Sequence, residues 1–296
     1  MSVDALPKVS VLVISYNQER YISEAIESAV AQDYPDLEVV VSDDGSTDRT
    51  PDIIRELQLR HPGRIVALCN AVNVGITRNC NQALRACSGN YIAFLGGDDV
   101  LLPGKISAQM RWFQEDPSRV LCGHRTDVFY EDGSRPPTPD REVCSEGTGP
   151  ELIIRQGAPF CGSAVMVKAS AIPGYGFDES IPIASDLLLW IDVLSAGGKF
   201  GYVDGVYARY RRHSNNISSR HFDMLKDIEK TFRIVAAKYP QYHDLCMDSI
   251  MRHVVYFGGV RYLAAGNKAA ARKQFLRAIR MKPLFAKSWL RLLQTI

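Results

Sequence analysis

The stretch VSVLVISYNQERYISEAIESAVAQDYPDLEVVVSDD, residues 9–44, sets the fold. It begins with the run Val9–Ile14, which is apolar except for Ser10 and is typical of a strand covered on both faces. Apolar pairs then recur every three or four residues from Tyr21 to Val30, as in an amphipathic helix that Asn17 is placed to cap. A second apolar run, Leu37–Ser42, completes a strand–helix–strand unit.

The same alternation continues to about residue 130. The apolar patterns predict strands at Ile65–Cys69, Tyr91–Leu95 and Val120–Tyr130, and helices at Thr50–Leu59, Arg78–Ala86 and Pro103–Glu115. Strands that alternate with helices at this spacing form βαβ units, so an α/β fold is expected, with a mostly parallel sheet and helices on both faces. Such sheets bind ligands in the crevice outside the carboxyl ends of their strands.

Beyond residue 130 the pattern changes twice. Residues 131–150 are rich in Pro, Gly and charge and are predicted to form an exposed loop. Strands at 164–168 and 200–210 are predicted around a helix at 186–196. After Ser219 every pattern is helical, with breaks near Pro240, Gly266-Asn267 and Pro283, so we divide the chain into domains 1–219 and 220–296.

Composition narrows the class of protein. The 296 residues are 46% apolar and 23% charged, which is ordinary for a soluble globular protein, and no window reaches the roughly 18 apolar residues of a membrane span. The seven cysteines never occur as C-x-x-C, which argues against a disulfide framework or a structural zinc site. We therefore expect a cytoplasmic protein.

The net charge of +2 hides a division along the chain. Residues 221–296 contain 14 Lys and Arg against 5 Asp and Glu, whereas the other 220 residues contain 21 against 28. From Met251 to the end there are ten basic residues and no acidic one. This asymmetry suggests an anionic surface as partner for the tail, and a solvated basic helix face is the alternative. No nucleic-acid-binding motif and no G-x-x-x-x-G-K-[ST] phosphate loop occurs, so no nucleic-acid partner is expected.

Two acidic motifs directly follow predicted strands. In SDDGSTD, Asp43 and Asp44 follow the second strand, where their carboxylates could accept hydrogen bonds from the N–H groups of a nucleotide base. In LGGDD, Asp98 and Asp99 follow the fourth strand; adjacent acids repel each other, and a divalent cation such as Mg²⁺ or Mn²⁺ relieves that repulsion. The alternative for the first motif is an Asx-rich turn that caps the next helix, and the alternative for the second is a turn with surface acids.

In this order the motifs resemble glycosyltransferase family 2, inverting enzymes with the GT-A fold. Tyr16 matches the position whose ring stacks on the base, and SDDGSTD resembles the nucleotide-binding motif. NVGITRNCNQAL resembles the segment in which Arg78 contacts the donor, and LGGDD resembles the D-x-D metal motif. The resemblance implies a nucleotide-diphospho-sugar donor, with UDP favoured over GDP and dTDP, and dependence on Mg²⁺ or Mn²⁺.

The resemblance continues to about residue 219. Asp186 falls on the family's catalytic base, and YRRHSNNIS, with Arg211 and His213, resembles the segment that packs against the diphosphate. Two positions depart from the pattern. Gly96 stands where many members have the first Asp of D-x-D, so Asp99 is expected to hold more of the metal than Asp98. Ser185 stands where most members have Glu before the base.

The sequence thus predicts a transferase that moves a sugar to a hydroxyl of a glycan or lipid-linked acceptor, in the synthesis of cell-surface polysaccharide or glycolipid. Its basic tail is expected to contact the anionic inner face of a membrane. The alternative is a degenerate transferase domain that serves as a nucleotide-binding or protein-interaction module through its helical tail. Which sugar, acceptor and linkage are used does not follow from the sequence.

Overall fold

The computed structural model describes residues 6–132, 134, 146–157, 160–214, 216–217 and 221–296. Most of the predicted loop 131–150, including Cys144, lies outside the described residues, and so does the predicted boundary between 219 and 220. The division into two domains at that point stays a prediction.

Strands and helices alternate as the sequence predicts. The strands are β1 (Val9–Ser15), β2 (Leu37–Asp43), β3 (Ile65–Cys69), β4 (Tyr91–Gly96), β5 (Val100–Leu101), β6 (Arg119–Tyr130), β7 (Gly147–Thr148), β8 (Met166–Lys168) and β9 (Lys199–Arg212). The helices of the first part are α1 (Ile22–Val30), α2 (Thr50–Arg60), α3 (Ile76–Ala86), α4 (Lys105–Glu115), α5 (Glu151–Gln156) and α6 (Ser185–Ser195). Those of the tail are α7 (His221–Lys238), α8 (His243–Ser249), a π-helical segment (Ile250–Tyr256), α9 (Phe257–Ala264), α10 (Lys268–Met281) and α11 (Ala286–Leu293).

The described strands form a single sheet in the order β3-β2-β1-β4-β8-β6-β9-β5, with β7 beside β9. The first four strands in this order run parallel, and β6 and β9 are also parallel. β8 is antiparallel to both β4 and β6. The α/β class with a mostly parallel central sheet and a helical C-terminal region is confirmed.

Both faces of the sheet are covered, which explains why β1 is mostly apolar. Val11 and Val13 pack in the core formed with α1, α2 and α4, whereas Leu12 packs in the core that contains α3 and α6. Because side chains of a strand alternate between faces, a strand buried on both sides is mostly apolar, and its few buried polar residues bond to each other, as Ser10 of β1 does to Glu38 of β2. All of β2 is likewise buried.

The tail helices share the second of these cores. Phe232 and Val235 of α7 and Ile250 are fully buried, and they pack in the core that also holds Leu188 and Trp190 of α6. Outward-facing residues remain on α10 and α11, where Leu276 and Trp289 are exposed. The first tail helices are therefore built into the sheet's apolar layer.

The start of helix α1 differs from the sequence prediction. Asn17 does not cap α1; it adopts φ +52° and its side-chain oxygen accepts a hydrogen bond from the backbone N–H of Thr47, at 2.9 Å. Helix α1 begins five residues later, at Ile22, with no side-chain cap. An Asn tolerates the left-handed region and bonds neighbouring backbone, so its capping ability serves the Asp43–Asp48 loop instead.

The six described cysteines carry free thiols. Cys80, Cys122 and Cys246 are buried and the others are half-buried. Burial raises the pKa of the Cys80 and Cys122 thiols to about 12, so these side chains act as small apolar groups.

A buried carboxylate joins the start of β2 to the start of β4. Glu38 accepts hydrogen bonds from Ser10 Oγ (2.5 Å) and from the backbone N–H of Ser88 (2.6 Å), and it forms an ion pair with Lys8 (2.7 Å). Burial alone would raise the pKa of Glu38, but these donors outweigh it and lower the pKa to about 2.

Glu38→Gln is therefore expected to reduce the free energy of unfolding at neutral pH by about 2–3 kcal/mol. Because the pKa is lowered in the folded state, the wild-type advantage is present above pH 4.5 and is lost as the pH falls through about 2. Urea unfolding of both proteins at several pH values measures this difference. An equal difference at pH 7 and pH 3 would contradict it.

Candidate active site

Three parallel strands end side by side at one edge of the sheet. Ser15 at the end of β1 pairs with Asp43 of β2, and Ile14 pairs with Gly96 of β4. The two acidic motifs therefore flank β1 at the carboxyl edge, where sheets of this kind bind ligands. Tyr16, directly after β1, is exposed at the same edge, so its ring can stack on a planar group.

The first acidic pair holds the surrounding loops together. Asp43 is fully buried and accepts a hydrogen bond from the backbone N–H of Ser46, at 2.9 Å. Asp44 accepts from the N–H groups of Val74 (2.8 Å) and Gly75 (3.1 Å), immediately before α3. Burial raises the pKa of Asp44, and these N–H groups oppose it only in part. The two Asp44 oxygens each accept one of these N–H bonds and each has a second lone pair, so Asp44 can still accept a bond from a ligand.

Asp98 faces the C-terminal end of β9. One of its carboxylate oxygens lies 2.9 Å from His213 Nε2 and accepts a hydrogen bond from the side-chain amide of Asn216, at 3.1 Å. The side chain is 15% exposed. Asp98 is thus oriented by the segment that follows β9 and still reaches the surface of the crevice.

Asp99 lies deeper. It is 3% exposed and accepts hydrogen bonds from the Ser163 hydroxyl (2.5 Å) and from the backbone N–H of Arg211 (2.9 Å). Burial, followed by the negative charge of Asp98, raises the pKa of Asp99. Two neighbouring acids of this kind favour a shared proton or a bound cation. Both oxygens of Asp99 already accept bonds from the protein, which makes Asp98 the more accessible of the two.

Gly96 leaves the space that these acids occupy. A Cβ at Gly96 would lie 2.9 Å from an Asp98 carboxylate oxygen and 3.4 Å from one of Asp99. A larger side chain there would have to displace the Asp98 carboxylate. The Asp98 carboxylate can therefore keep its present orientation only because residue 96 has no side chain.

The guanidinium of Arg211 is enclosed by protein groups. Its Nε donates to the backbone oxygen of Asp98 (2.9 Å), and its Nη2 pairs with Glu24 (2.5 Å). It also lies over the rings of Tyr21 and Phe129, at 4.8 and 4.5 Å from their centroids. With these contacts Arg211 connects β9, α1 and the end of β4, and it holds the acid pair in position.

Asp186 lies in the first turn of α6. It is half-buried, and one oxygen accepts from the backbone N–H of Leu187, at 2.9 Å. Burial raises its pKa, and the carboxylate has no cationic partner in the described part of the chain. The loop before it is held by Asp227 of α7, which accepts from the N–H groups of Ile183 (2.7 Å) and Ala184 (3.1 Å).

The Cys80 thiol shows that Asp186 is near the first acidic motif. After burial, the charges of Asp186 and Asp44 are the next causes that raise the pKa of Cys80. Both carboxylates therefore lie within electrostatic range of one buried group on α3.

The family model described as glycosyl transferase family 2 matches residues 10–172, which is more than half of the chain. The chain belongs to glycosyltransferase family 2. EpsE of Bacillus subtilis, which is named as a glycosyltransferase, is 30% identical over 219 residues, and the match covers 73% of this chain and 77% of EpsE. The uncharacterized protein Rv1520 of Mycobacterium tuberculosis is 33% identical over 218 residues, and the match covers 71% of this chain but only 60% of Rv1520.

A third relative has a more specific name. It is the UDP-Glc:α-D-GlcNAc-diphosphoundecaprenol β-1,3-glucosyltransferase WfaP of Escherichia coli, 28% identical over 221 residues, with 73% of this chain and 82% of WfaP covered. Among solved structures, residues 1–349 of Staphylococcus aureus TarS with UDP-GlcNAc match with a TM-score of 0.69 at 18% identity, covering 97% of this chain and 89% of that one.

A mannosyltransferase of Pyrobaculum calidifontis, solved with GDP-Man and Mn²⁺, matches with a TM-score of 0.64 at 19% identity, covering 99% of this chain and 86% of that one. These likenesses show the fold, and the expected GT-A architecture is confirmed.

Two positions that the family resemblance singled out have local partners here. Arg78, in the first turns of α3, is exposed and its Nε donates to Glu179 at 3.2 Å. Ser185 takes the place of the usual Glu; it is buried, and its hydroxyl lies 3.1 Å from that of Thr77. Ser185 therefore joins α6 to α3, while Arg78 keeps further N–H donors toward solvent.

Some residues of the site could not be singled out from the sequence. Ser163, which bonds Asp99, precedes β8 in a segment without a recognisable motif. Asp227, on α7, lies outside the family resemblance. Asn216 is part of the YRRHSNNIS segment, so its position in that motif was an available signal.

Proposed function

We propose that this chain is an inverting glycosyltransferase that moves a sugar from a nucleotide-diphospho-sugar, a UDP-sugar, to a hydroxyl of a glycan or lipid-linked acceptor. One observation carries the proposal: the strands that lead into Asp43–Asp44 and Asp98–Asp99 lie on either side of β1 and end at the same carboxyl edge of the sheet. Asp186 lies near enough to Cys80 for its charge to raise the pKa of that thiol, as the charge of Asp44 also does. The similarity to WfaP, which is named for a UDP-glucose donor, and to TarS, which was solved with UDP-GlcNAc, supports a UDP-sugar. The acceptor in the name of WfaP supports a lipid-linked acceptor.

The donor set fits a divalent metal. In the described part of the chain no three His, Cys, Asp or Glu side chains group closely enough to hold a metal by themselves. Mg²⁺ and similar cations commonly take one or two carboxylates and complete their shell with water and phosphate oxygens. Asp98 offers the accessible carboxylate, with Asp99 behind it and His213 beside it. A bound Mg²⁺ or Mn²⁺ would neutralise charge on the departing nucleoside diphosphate.

The basic side chains His213, Arg78 and Arg211 have different roles in this proposal. His213 lies at the acid pair and Arg78 lies exposed on α3, so both can donate to diphosphate oxygens. Arg211 is already bonded to Glu24 and to the Asp98 backbone, so it acts by holding those groups. Tyr16 and the Asp43–Asp44 loop would receive the base.

Asp186 is the proposed base. As the acceptor hydroxyl forms its bond to the anomeric carbon, Asp186 accepts the hydroxyl proton, and the bond to the diphosphate breaks on the opposite face. Partial burial and the absence of a cationic partner in the described residues keep this carboxylate more basic than usual. Attack opposite the leaving group inverts the anomeric configuration.

Metal chelation tests the proposal. We expect a screen of nucleotide sugars to find one whose nucleoside diphosphate is released by the protein with Mg²⁺ or Mn²⁺, and EDTA to reduce this release about a hundredfold or more. Excess Mn²⁺ should restore it. The thermal unfolding midpoint without nucleotide, compared with and without EDTA, serves as the control for structural damage. Undiminished release in EDTA would refute metal dependence.

The second candidate is a degenerate transferase that binds nucleotide or a protein partner without turnover, through its helical tail. Gly96 and Ser185, which replace acids of the family pattern, favour it. Thermal stabilisation by a nucleoside diphosphate, without release from any donor, would support this candidate over the enzyme.

We also propose that the chain works on the cytoplasmic side and that residues 221–296 contact an anionic membrane surface. The excess of basic residues in this segment supports the proposal, because each Lys or Arg near an anionic bilayer contributes about 1 kcal/mol of attraction. Lipid-linked acceptors are held at such a surface.

A further inference from the structure

The exposed face of helix α11 is apolar. Trp289, Leu290 and Leu293 are 51%, 63% and 65% exposed. Residues three and four apart share a helix face, so these side chains form one stripe together with Ala286. Surface helices normally turn such a stripe toward the core and present polar residues to water. In α11 the buried residue is Ser288, on the opposite side.

Two further apolar side chains extend this stripe at either end of α11. Leu284, before the helix, is 96% exposed, and Ile296, after it, is 84% exposed. The Trp289 indole N–H donates to the backbone oxygen of Pro283 at 2.9 Å, which orients the ring against the helix start. Neighbouring exposed apolar groups of this kind mark an interaction surface.

Every charged side chain in the part of the chain that contains α11, from residue 249 onward, is positive. No acidic residue follows Asp248, and ten Lys or Arg do. Within the described part of the chain, three of them have acidic partners: Arg252 and Lys282 both pair with Asp248, and Arg277 pairs with Glu229. The remaining seven, among them Lys287 on α11, have no acidic partner there.

We propose that α11 lies in the interface of an anionic membrane, with Trp289, Leu290 and Leu293 among the headgroups and upper acyl chains. A short helix with an apolar face, a Trp and flanking basic residues is suited to this position. None of the helices in the described residues is long and apolar enough to cross a bilayer. With eight residues α11 is about 12 Å long, less than half the thickness of a bilayer core, so the proposed position is along the surface. A second copy fits less well, because pairing two such faces would bring like charges together.

This inference rests on the proposed contact between residues 221–296 and a membrane, and it assigns that contact to one helix face. It also separates two contributions: basic residues attract the chain to anionic lipid, and the α11 stripe retains it there. Binding should therefore depend on apolar side chains as well as on salt.

Flotation of the full chain with vesicles tests the inference. The wild type should float with phosphatidylcholine–phosphatidylglycerol vesicles and far less with phosphatidylcholine alone. The double substitution Leu290→Ser/Leu293→Ser should lower the partition coefficient at least about tenfold. Lys287→Glu should lower it on the mixed vesicles by about tenfold and leave it unchanged on phosphatidylcholine.

Leu59→Ser is the matched control, since Leu59 on α2 is 82% exposed and lies far along the chain from the tail. It should float like the wild type, and the α11 double variant should keep its donor turnover. Equal flotation of wild type and double variant, or no flotation of the wild type, would overturn the inference and leave the proposed enzyme untouched. A wild-type dimer that the double variant abolishes, without vesicle binding, would overturn it in favour of a second copy. Absent donor turnover in a chain that floats as described would refute the proposed activity alone.

Discussion

Asp186→Asn is expected to reduce turnover by about 10²–10⁴-fold while leaving donor binding unchanged. The amide cannot accept the proton of the attacking hydroxyl, and a positioned base contributes a factor of this size. The substitution preserves shape, and the Asn side-chain oxygen can still accept from the Leu187 N–H as Asp186 does. Steady-state kinetics with the donor found in the screen, together with nucleotide titration, measures both quantities.

The pH dependence of turnover is a second test of Asp186 as the base. Because Asp186 must be deprotonated to act, wild-type turnover should fall as the pH decreases through its pKa, which burial holds above 3.8. The residual activity of Asp186→Asn should lack this acidic limb. Ser185→Ala is the neighbouring control: it removes the contact with Thr77 and should leave the limb in place. An unchanged acidic limb in Asp186→Asn would refute its role as base.

Asp98→Asn is expected to lower turnover roughly a hundredfold and to weaken the apparent affinity for metal at least about tenfold. We propose Asp98 as the direct ligand, whereas the sequence comparison with the family motif led us to expect Asp99. The Asp98 carboxylate is 15% exposed, whereas Asp99 is 3% exposed and both its oxygens accept bonds from Ser163 and Arg211. Turnover at increasing Mn²⁺ concentration measures the effect.

Asp99→Asn is the paired comparison. Its amide cannot replace both accepted bonds without a clash of donors, so we expect a lower unfolding temperature, together with a smaller rise in the metal concentration needed for half-maximal turnover. A Mn²⁺ requirement that rises more in Asp99→Asn than in Asp98→Asn would reverse the assignment. His213→Gln, which keeps a donor toward Asp98, distinguishes loss of orientation from loss of a ligand.

The edge of the sheet could be predicted from sequence because it depends on local patterns. Buried parallel strands are mostly apolar, and pairs of adjacent acids occur only where the strands end, so Asp43 and Asp98 were placed correctly at strand ends. Which groups meet across the edge was not predictable in this way. Asn17 has the composition of a helix cap, yet its oxygen bonds a loop 30 residues away.

Partners supplied by distant segments account for most of what the sequence left open. Asp99 is held by Ser163 and by the end of β9, which are 64 and 112 residues away. Neither pairing has a periodicity or a motif, because it depends on where β8 and β9 join the sheet. Ser163 could be recognised only once the antiparallel placement of β8 beside β4 was known.

The contacts of helix α7 with α6 limit how the C-terminal tail could be exchanged between related proteins. Asp227 holds the turn that precedes Asp186, and Lys238 pairs at 2.8 Å with Asp192, farther along α6. The helix that carries the proposed base is thus clamped at two points by the segment that continues toward α11. A tail grafted from a relative would have to supply both of these contacts, or be exchanged together with α6, to keep Asp186 in its present position.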